Sequence, residues 1–479
     1  MHEKNLGLRN VIATGVGLIV ATSCLLSLGL GASSIGVTFI ISMAVAGLLN
    51  ALLAMSVSEL NALMPNLTGG LAQYTLACMG PFVTIIVMVG GYVACNTVIS
   101  SVECAMFGNT MSQVLPQLNI PGSAYCVVLL VLLIIANLNG VDVFAKVQDV
   151  VAYGLIISLM LMGVMGCLHI GTGEVIEQPA VLASDFKSVT GLCGVAFFLF
   201  IGVEYVVPIT DKVKNARVNV PLGMVISLVI IMIMQSLLVI GFKNYTTWEE
   251  LAASTTPHVL YGAKLLGKFG TIWMAVVSIL AVTSSVNTIL SSLSYICEGM
   301  AKINLLPDIF LKTNKKGAPY VGILLIGGIM ILINVTGLST SESLAFFILT
   351  GCVFWMVAYI VTHINVLILR KRLPKAPRTF KAPFTPFLQI VGILGTVWMI
   401  WNIDSDPTVR MSIYKLCGII FIVLMVYAFI WTKAVIKKPM FKAYPVKDVM
   451  AMENDLYHEY RKNSKNSVKK GTDKYEYIS

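Results

Sequence analysis

The sequence predicts an all-α membrane protein of about twelve transmembrane helices, on three observations: composition, apolar runs long enough to span a bilayer, and one-sided cations. Of the 479 residues, 57% are hydrophobic and only 12% are charged, with a mean hydropathy of +0.86. Soluble domains carry about 25% charged residues, so water cannot be the main solvent for this surface. The net charge of +10 is not spread as a nucleic-acid binder requires. No basic patch alternates with aromatics, and membrane topology accounts for the cations better.

Taken in order, runs near the roughly 20 apolar residues a spanning helix needs fall at 11–31, 35–57, 82–111, 123–138, 149–170, 190–210, 221–242, 268–299, 320–336, 343–369, 387–403 and 411–433. The fourth is short, and the third and eighth require tilt or a kink. The chain divides into an N-terminal segment 1–10, a membrane domain 11–433 and a polar tail 434–479. Within the membrane domain, a first repeat covers about 11–170, a second about 190–369, and two further helices 387–433. No A-x-A-like site follows the first run, so a cleaved leader is not expected.

Loop charge tests this count. With the N-terminus inside, 27 Lys and Arg lie on the inner side and six on the outer; without the tail the split is 16 to 6. The inner loops hold Lys146, Lys212, Lys214, Arg217, Lys302 and the cluster from Arg370 to Lys381. The outer loops hold carboxylates instead, among them Glu174, Asp185, Glu250 and Asp404. Both termini are therefore expected in the cytoplasm of a cell-membrane protein. The tail reads as solvated, as lying on the membrane surface, or, less favoured, as a plug over the cytoplasmic mouth, with a possible short amphipathic helix around Val446–Tyr460.

Two spans carry marks of interruption. Span 1 runs Gly15-Val-Gly17 to Ala21-Thr22-Ser23-Cys24 and on to Gly29 and Gly31; span 6 runs Gly194 to Phe198, Phe200, Gly202, Glu204 and Pro208. Each opens one five-helix block. Gly and Pro make unwinding cheap, although small residues also serve close packing. A half-helix start attracts a carboxylate and freed carbonyls attract an ammonium. Together they would hold an α-amino acid.

Three acidic residues lie well inside the runs: Glu103, Glu204 and Glu298. Glu204, beside the span 6 break, reads either as a proton-linked or gating group or as a hydrogen-bond hub. Glu103 lies 22 residues after Pro81, about 33 Å along a helix, so it is expected near the outer end of span 3 in a cation-attracting vestibule. Asn96 is better placed to line a site. Glu298 and His363 sit near span ends and carry little functional weight. The ten cysteines show no C-x-x-C pair and read as small buried hydrophobes, so no metal site is predicted. No P-loop, H-E-x-x-H or nucleotide turn is present. The chain is therefore not expected to be an enzyme or to need a cofactor, and solute movement would be driven by gradients.

At Phe198-Leu-Phe200-Ile-Gly202-Val-Glu204, followed by Asp211 to Pro221, the sequence resembles permeases of the amino acid–polyamine–organocation superfamily. Further matches are Ser58-Glu59-Leu60, Pro65, Gly69-Gly70, Tyr74, Gly80-Pro81, Asn139-Gly140-Val141, Lys146-Val-Gln148, Leu306-Pro307-Asp308 and Gly317-Ala-Pro319. They run in the family's order from about residue 6 to 430. The resemblance implies a LeuT-like fold of two inverted five-helix repeats with broken spans 1 and 6. The solute would be an amino acid or derived amine. By similarity to the arginine/agmatine antiporter branch, Phe198 would gate the substrate, and Ile201 and Gly202 would offer carbonyls to its ammonium. Ala21, Thr22 and Ser23 stand where the family usually has Gly-Ser-Gly, and Leu155 where proton-coupled members place a lysine. Coupling is left to exchange, to H⁺, or to Na⁺ held near Ser284 and Ser285, which read equally as packing residues. The competing expectation is a receptor or assembly subunit that kept the fold without transport.

Overall fold

The computed structural model describes residues 6–65, 71–139, 142–336 and 341–452. Lys4, Gly69, Gly70, Gly140, Val141 and the chain beyond Met452 lie outside the described residues, as do the side chains of Lys146, Gln148, Pro208, Asp211, Lys212 and Glu342.

All regular structure among the described residues is helical. Six helices are long and apolar enough to cross a membrane: Phe39–Leu63, Pro81–Val114, Ala216–Tyr245, Pro257–Lys302, Leu344–Arg372 and Pro407–Ile436. A bent pair, Leu8–Gly17 with Thr22–Ile35, passes the same test across a 64° break. Five shorter apolar helices accompany them: Gly122–Leu138, Val151–Cys167, Cys193–Val207, Tyr320–Thr336 and Phe387–Trp401. Large apolar side chains on the outer faces stay exposed, for example Val128, Leu132, Ile419, Val423, Val426 and Ile430. An apolar belt of this extent belongs in lipid rather than water. The chain is a multi-pass membrane protein.

The long runs relieve their excess length locally. In Pro81–Val114 the stretch Ile86–Ala94 is π-helical, a widening common at functional sites. Pro257–Lys302 kinks at Leu266–Gly267, where Gly267 has φ +59°. The second span ends at Leu63 rather than near residue 57. Its polar end, Ser58-Glu59-Leu60-Asn61, broke the apolar run in the sequence, yet the helix continues because Glu59 is neutralised by ion pairs. Arg370 forks onto Glu59 with Nε and Nη2 at 2.7 Å each, and Arg378 Nε lies 3.3 Å from it. Glu298 pairs with Lys302 one turn on, at 3.2 Å. His363 is buried with Nδ1 2.9 Å from Ser56 Oγ. All ten cysteines are free, and nine are buried.

The first part of the tail straps across the end of the bundle against the helix Leu71–Met79. Phe82 donates its amide to the Met440 carbonyl at 3.2 Å, and Tyr444 donates to Leu76 at 3.1 Å. Gly80, at φ +82°, permits this approach, because a Cβ there would stand 2.7 Å from the Lys442 carbonyl oxygen. The expected amphipathic helix is helical over Val446–Ala451, with Val449 buried. Apolar Tyr444, Val449 and Met452 make the strap amphipathic enough to dock. Its charge count alone hid that.

Candidate functional site

The first break starts with chain geometry. Helix α1 (Leu8–Ile19) closes with Val20 donating to Val16 at 2.9 Å, Ala21 is extended (φ −116°, ψ 165°), and helix α2 (Thr22–Ile35) begins anew. The first N–H groups of a helix have no partner within it. Here Thr22 N donates to Glu103 Oε2 at 2.9 Å and Ser23 N to Oε1 at 3.0 Å. Both hydroxyls join: Thr22 Oγ1 donates to Oε2 at 2.5 Å, and Ser23 Oγ donates to Oε1. Glu103 is thus the cap of α2, only 1% exposed, and not a vestibule residue. Counting rise along its own helix gave its height but not the direction of its side chain, which points inward onto the break.

Span 6 breaks through different means. Helix α3 (Cys193–Phe198) ends in turns, with Leu199 donating to Ala196 and Phe200 to Phe197. Gly202 then takes φ +113°, a left-handed conformation that costs other residues but not glycine. A 3₁₀ segment, Val203–Lys212, follows. Gln235 Nε2 donates to the Leu199 carbonyl at 3.3 Å, satisfying one group that the break frees. Glu204 sits just past the glycine and collects donors from two other spans. Tyr92 Oη donates to Oε1 at 3.0 Å and Trp355 Nε1 at 3.2 Å, while Tyr359 Oη reaches both oxygens at 2.9 Å. These donors make Glu204 a hydrogen-bond hub that ties the span 6 break to two other helices.

The breaks face each other. Cys24 Sγ is 2.9 Å from the Ile19 carbonyl and 3.9 Å from that of Phe198. Between them lies a cavity of about 30 Å³, room for about one water. Ala21, Ser23, Asn96, Phe198, Ile201 and Ser285 line it, as do Glu103 and Trp355. Thr22, Gly202, Glu204 and Ser284 are not on its wall, although Thr22 touches Glu103 and Glu204 touches Trp355. Leu155 is fully buried in the core. Sequence reasoning missed Trp355 and Tyr359, which had no spacing signal, and misread Glu103. The signal for Glu103 was present: hydroxyl residues at 22 and 23 offer the donors that a buried carboxylate needs. A larger cleft of about 430 Å³ opens among Ser58, Asn61, Thr210, Arg217 and Thr379, at the end of the bundle that holds the N-terminal segment.

Known proteins agree with this architecture. A family model described as amino acid permease matches residues 6–444. The methylthioribose transporter of Bacillus subtilis is 22% identical over 86% of this chain and 89% of its own. The branched-chain amino acid permease of the same organism is 22% identical over 87% and 92%. The crystal structure of the Eremococcus coleocola manganese transporter superposes with a TM-score of 0.56 at 15% identity, covering 89% of this chain and 94% of that one. At that identity the likeness establishes the fold alone. The chain therefore belongs to the amino acid permease family within the amino acid–polyamine–organocation superfamily, and is a membrane transporter rather than an enzyme.

Proposed function

We propose that this protein is a secondary transporter of amino acids or derived amines, working by alternating access across the cell membrane with both termini in the cytoplasm. The observation that carries the reading is the small cavity, about 30 Å³ in this conformation, where two interrupted helices meet, with Asn96, Ser285 and Trp355 from three further helices on its wall. Binding sites at facing helix breaks are how many secondary transporters hold solute at mid-membrane. Counting the bent pair as one span, with the six long and five shorter helices, supports twelve spans in a 5+5 inverted-repeat arrangement. In this reading Phe198 closes over the solute, and Ile201 and Gly202 belong to the wall that opens. The 430 Å³ cleft is the cytoplasmic mouth. Exchange is the mode we favour, because Leu155 leaves no lysine at the position where proton-coupled relatives would carry one. Ser285, on the cavity wall, is the stronger half of the Ser284–Ser285 pair for a coupling ion.

Counterflow in proteoliposomes tests this. Unlabelled amino acids or amines loaded inside should accelerate uptake of labelled solute. Uptake that is driven by a Na⁺ or H⁺ gradient and indifferent to internal solute would replace exchange with symport. Ligand binding without flux under any gradient would favour a receptor with the same fold.

A further inference from the structure

We infer that the solute held at the two breaks is an organic cation with no carboxylate beside its ammonium group, an amine rather than an α-amino acid. This rests on the transporter reading above and narrows its substrate class.

A half-helix start with free amides would draw a ligand's carboxylate, but at α2 the chain supplies its own. The four donors of Thr22 and Ser23 converge on the two oxygens of Glu103, and a carboxylate offers about four acceptor sites. Amides and hydroxyls there are spent.

Apart from the second N–H of Asn96 Nδ2, the other side-chain donors on the cavity wall are committed. Asn96 Nδ2 donates to the Tyr92 carbonyl at 2.7 Å, Ser285 Oγ to Val282 at 3.3 Å, and Trp355 Nε1 to Glu204. The acceptors are not. Asn96 Oδ1 is fully buried, belongs to a lining residue and has no hydrogen-bond partner. The Ser285 hydroxyl retains its lone pairs. Among the described residues no Lys, Arg or His lines the cavity, and Glu103 is the only acidic one that does. Such a wall asks its ligand for donors and positive charge. An ammonium has three donors and no acceptor, and a carboxylate only acceptors. An amino acid would bring its carboxylate to a wall whose spare side-chain N–H is the second one on Asn96 and where Glu103 already places a carboxyl group. The remaining lining is apolar, with Ile99, Ile201, Ile289 and Phe198, and must part to admit a short hydrocarbon body where there is now room for about one water.

Matched pairs isolate the carboxylate. The full-length protein in proteoliposomes is tested with leucine against isoamylamine, phenylalanine against 2-phenylethylamine, and serine against ethanolamine, by counterflow and by thermal shift. The expected result is that in at least one pair the amine acts at a concentration at least tenfold lower than its amino acid. If an amino acid equals or betters its amine in every pair that is transported, the inference is overturned while the transporter reading stands. If no member of any pair binds or is moved, both are overturned. Glu103→Gln, where it folds, should erase the preference; a folded variant that keeps a tenfold preference would remove Glu103 from the account. The comparison in the parent protein needs no variant.

Discussion

Glu59 and Glu103 are both almost completely buried carboxylates on neighbouring spans, and they are satisfied in opposite ways. Glu59, at the end of the bundle, is gripped by Arg370 and Arg378 and by the Ala382 amide at 2.8 Å. Glu103, at the central break, receives only neutral donors, two amides and two hydroxyls. The first arrangement cancels charge and fastens elements together. The second leaves a carboxyl group with no cationic partner beside a cavity. Carboxylates in membrane spans are costly unless compensated, so the difference separates a structural clamp from a group that shapes a binding site. Glu204 stands between them, held by neutral donors like Glu103 but set behind Trp355, off the cavity wall.

The largest expected effect comes from Glu103→Ala. It orphans the four donors at the start of α2, and taking roughly 1–3 kcal/mol for each buried group left unpaired, stability should fall by about 4 kcal/mol or more. Transport should be lost with it. Thermal unfolding in detergent reads the first and uptake the second; a variant that melts like the parent would dissolve the contrast with Glu59.

Glu59→Ala should cost about 3 kcal/mol, the lower end for a broken buried pair, since Arg370 is 30% exposed. Substrate preference should not change. A shifted preference would mean that the clamp communicates with the site.

Glu204→Gln sharpens the middle case. As a hub, it should lower the melting temperature and leave the pH profile of uptake parallel to the parent's. A displaced profile would assign it the proton-linked role. Phe198→Ala should slow turnover at least about tenfold, a loss of some 1.4 kcal/mol, at near-normal expression. Unchanged turnover would remove it from the gate.

The smallest effect belongs to an exposed carboxylate. Glu250, on the short helix Trp248–Ala253, lies 2.7 Å from Lys264, whose hydrogen bond holds its carboxyl below the usual range. Its contribution is present above the ordinary carboxylate range and fades as pH falls through the lowered value. With both partners about 40% exposed, Lys264→Ala should change stability by about 1 kcal/mol at most.

How far the sequence reached differs between these regions. The spans were legible because lipid demands long apolar runs, and both breaks because small residues, Gly202 and Pro208 interrupt such runs. Asn96 was legible from its height in span 3, Phe198 and Ile201 through the resemblance, and Ser285 as half of a possible ion site that read equally as packing. The grip on Glu103 was not, since its partners lie about 80 residues away and periodicity does not say which way a side chain turns. The end of span 2 was misjudged for a related reason. A carboxylate ends an apolar run on paper, but arginines more than 300 residues later neutralise it. The docked strap from Met440 to Met452 likewise depends on Gly80, whose missing Cβ matters only once the two segments meet.

The account's central claim is that solute binds where the two breaks face each other. Its most direct test is the density of bound ligand in a cryo-electron microscopy map of the protein with whichever amine or amino acid stabilises it most. The account predicts density between Asn96, Phe198 and Ser285, with Glu103 still capping Thr22 and Ser23. Density confined to the cleft near Arg217, or a ligand carboxylate in place of Glu103 at the start of α2, would contradict it.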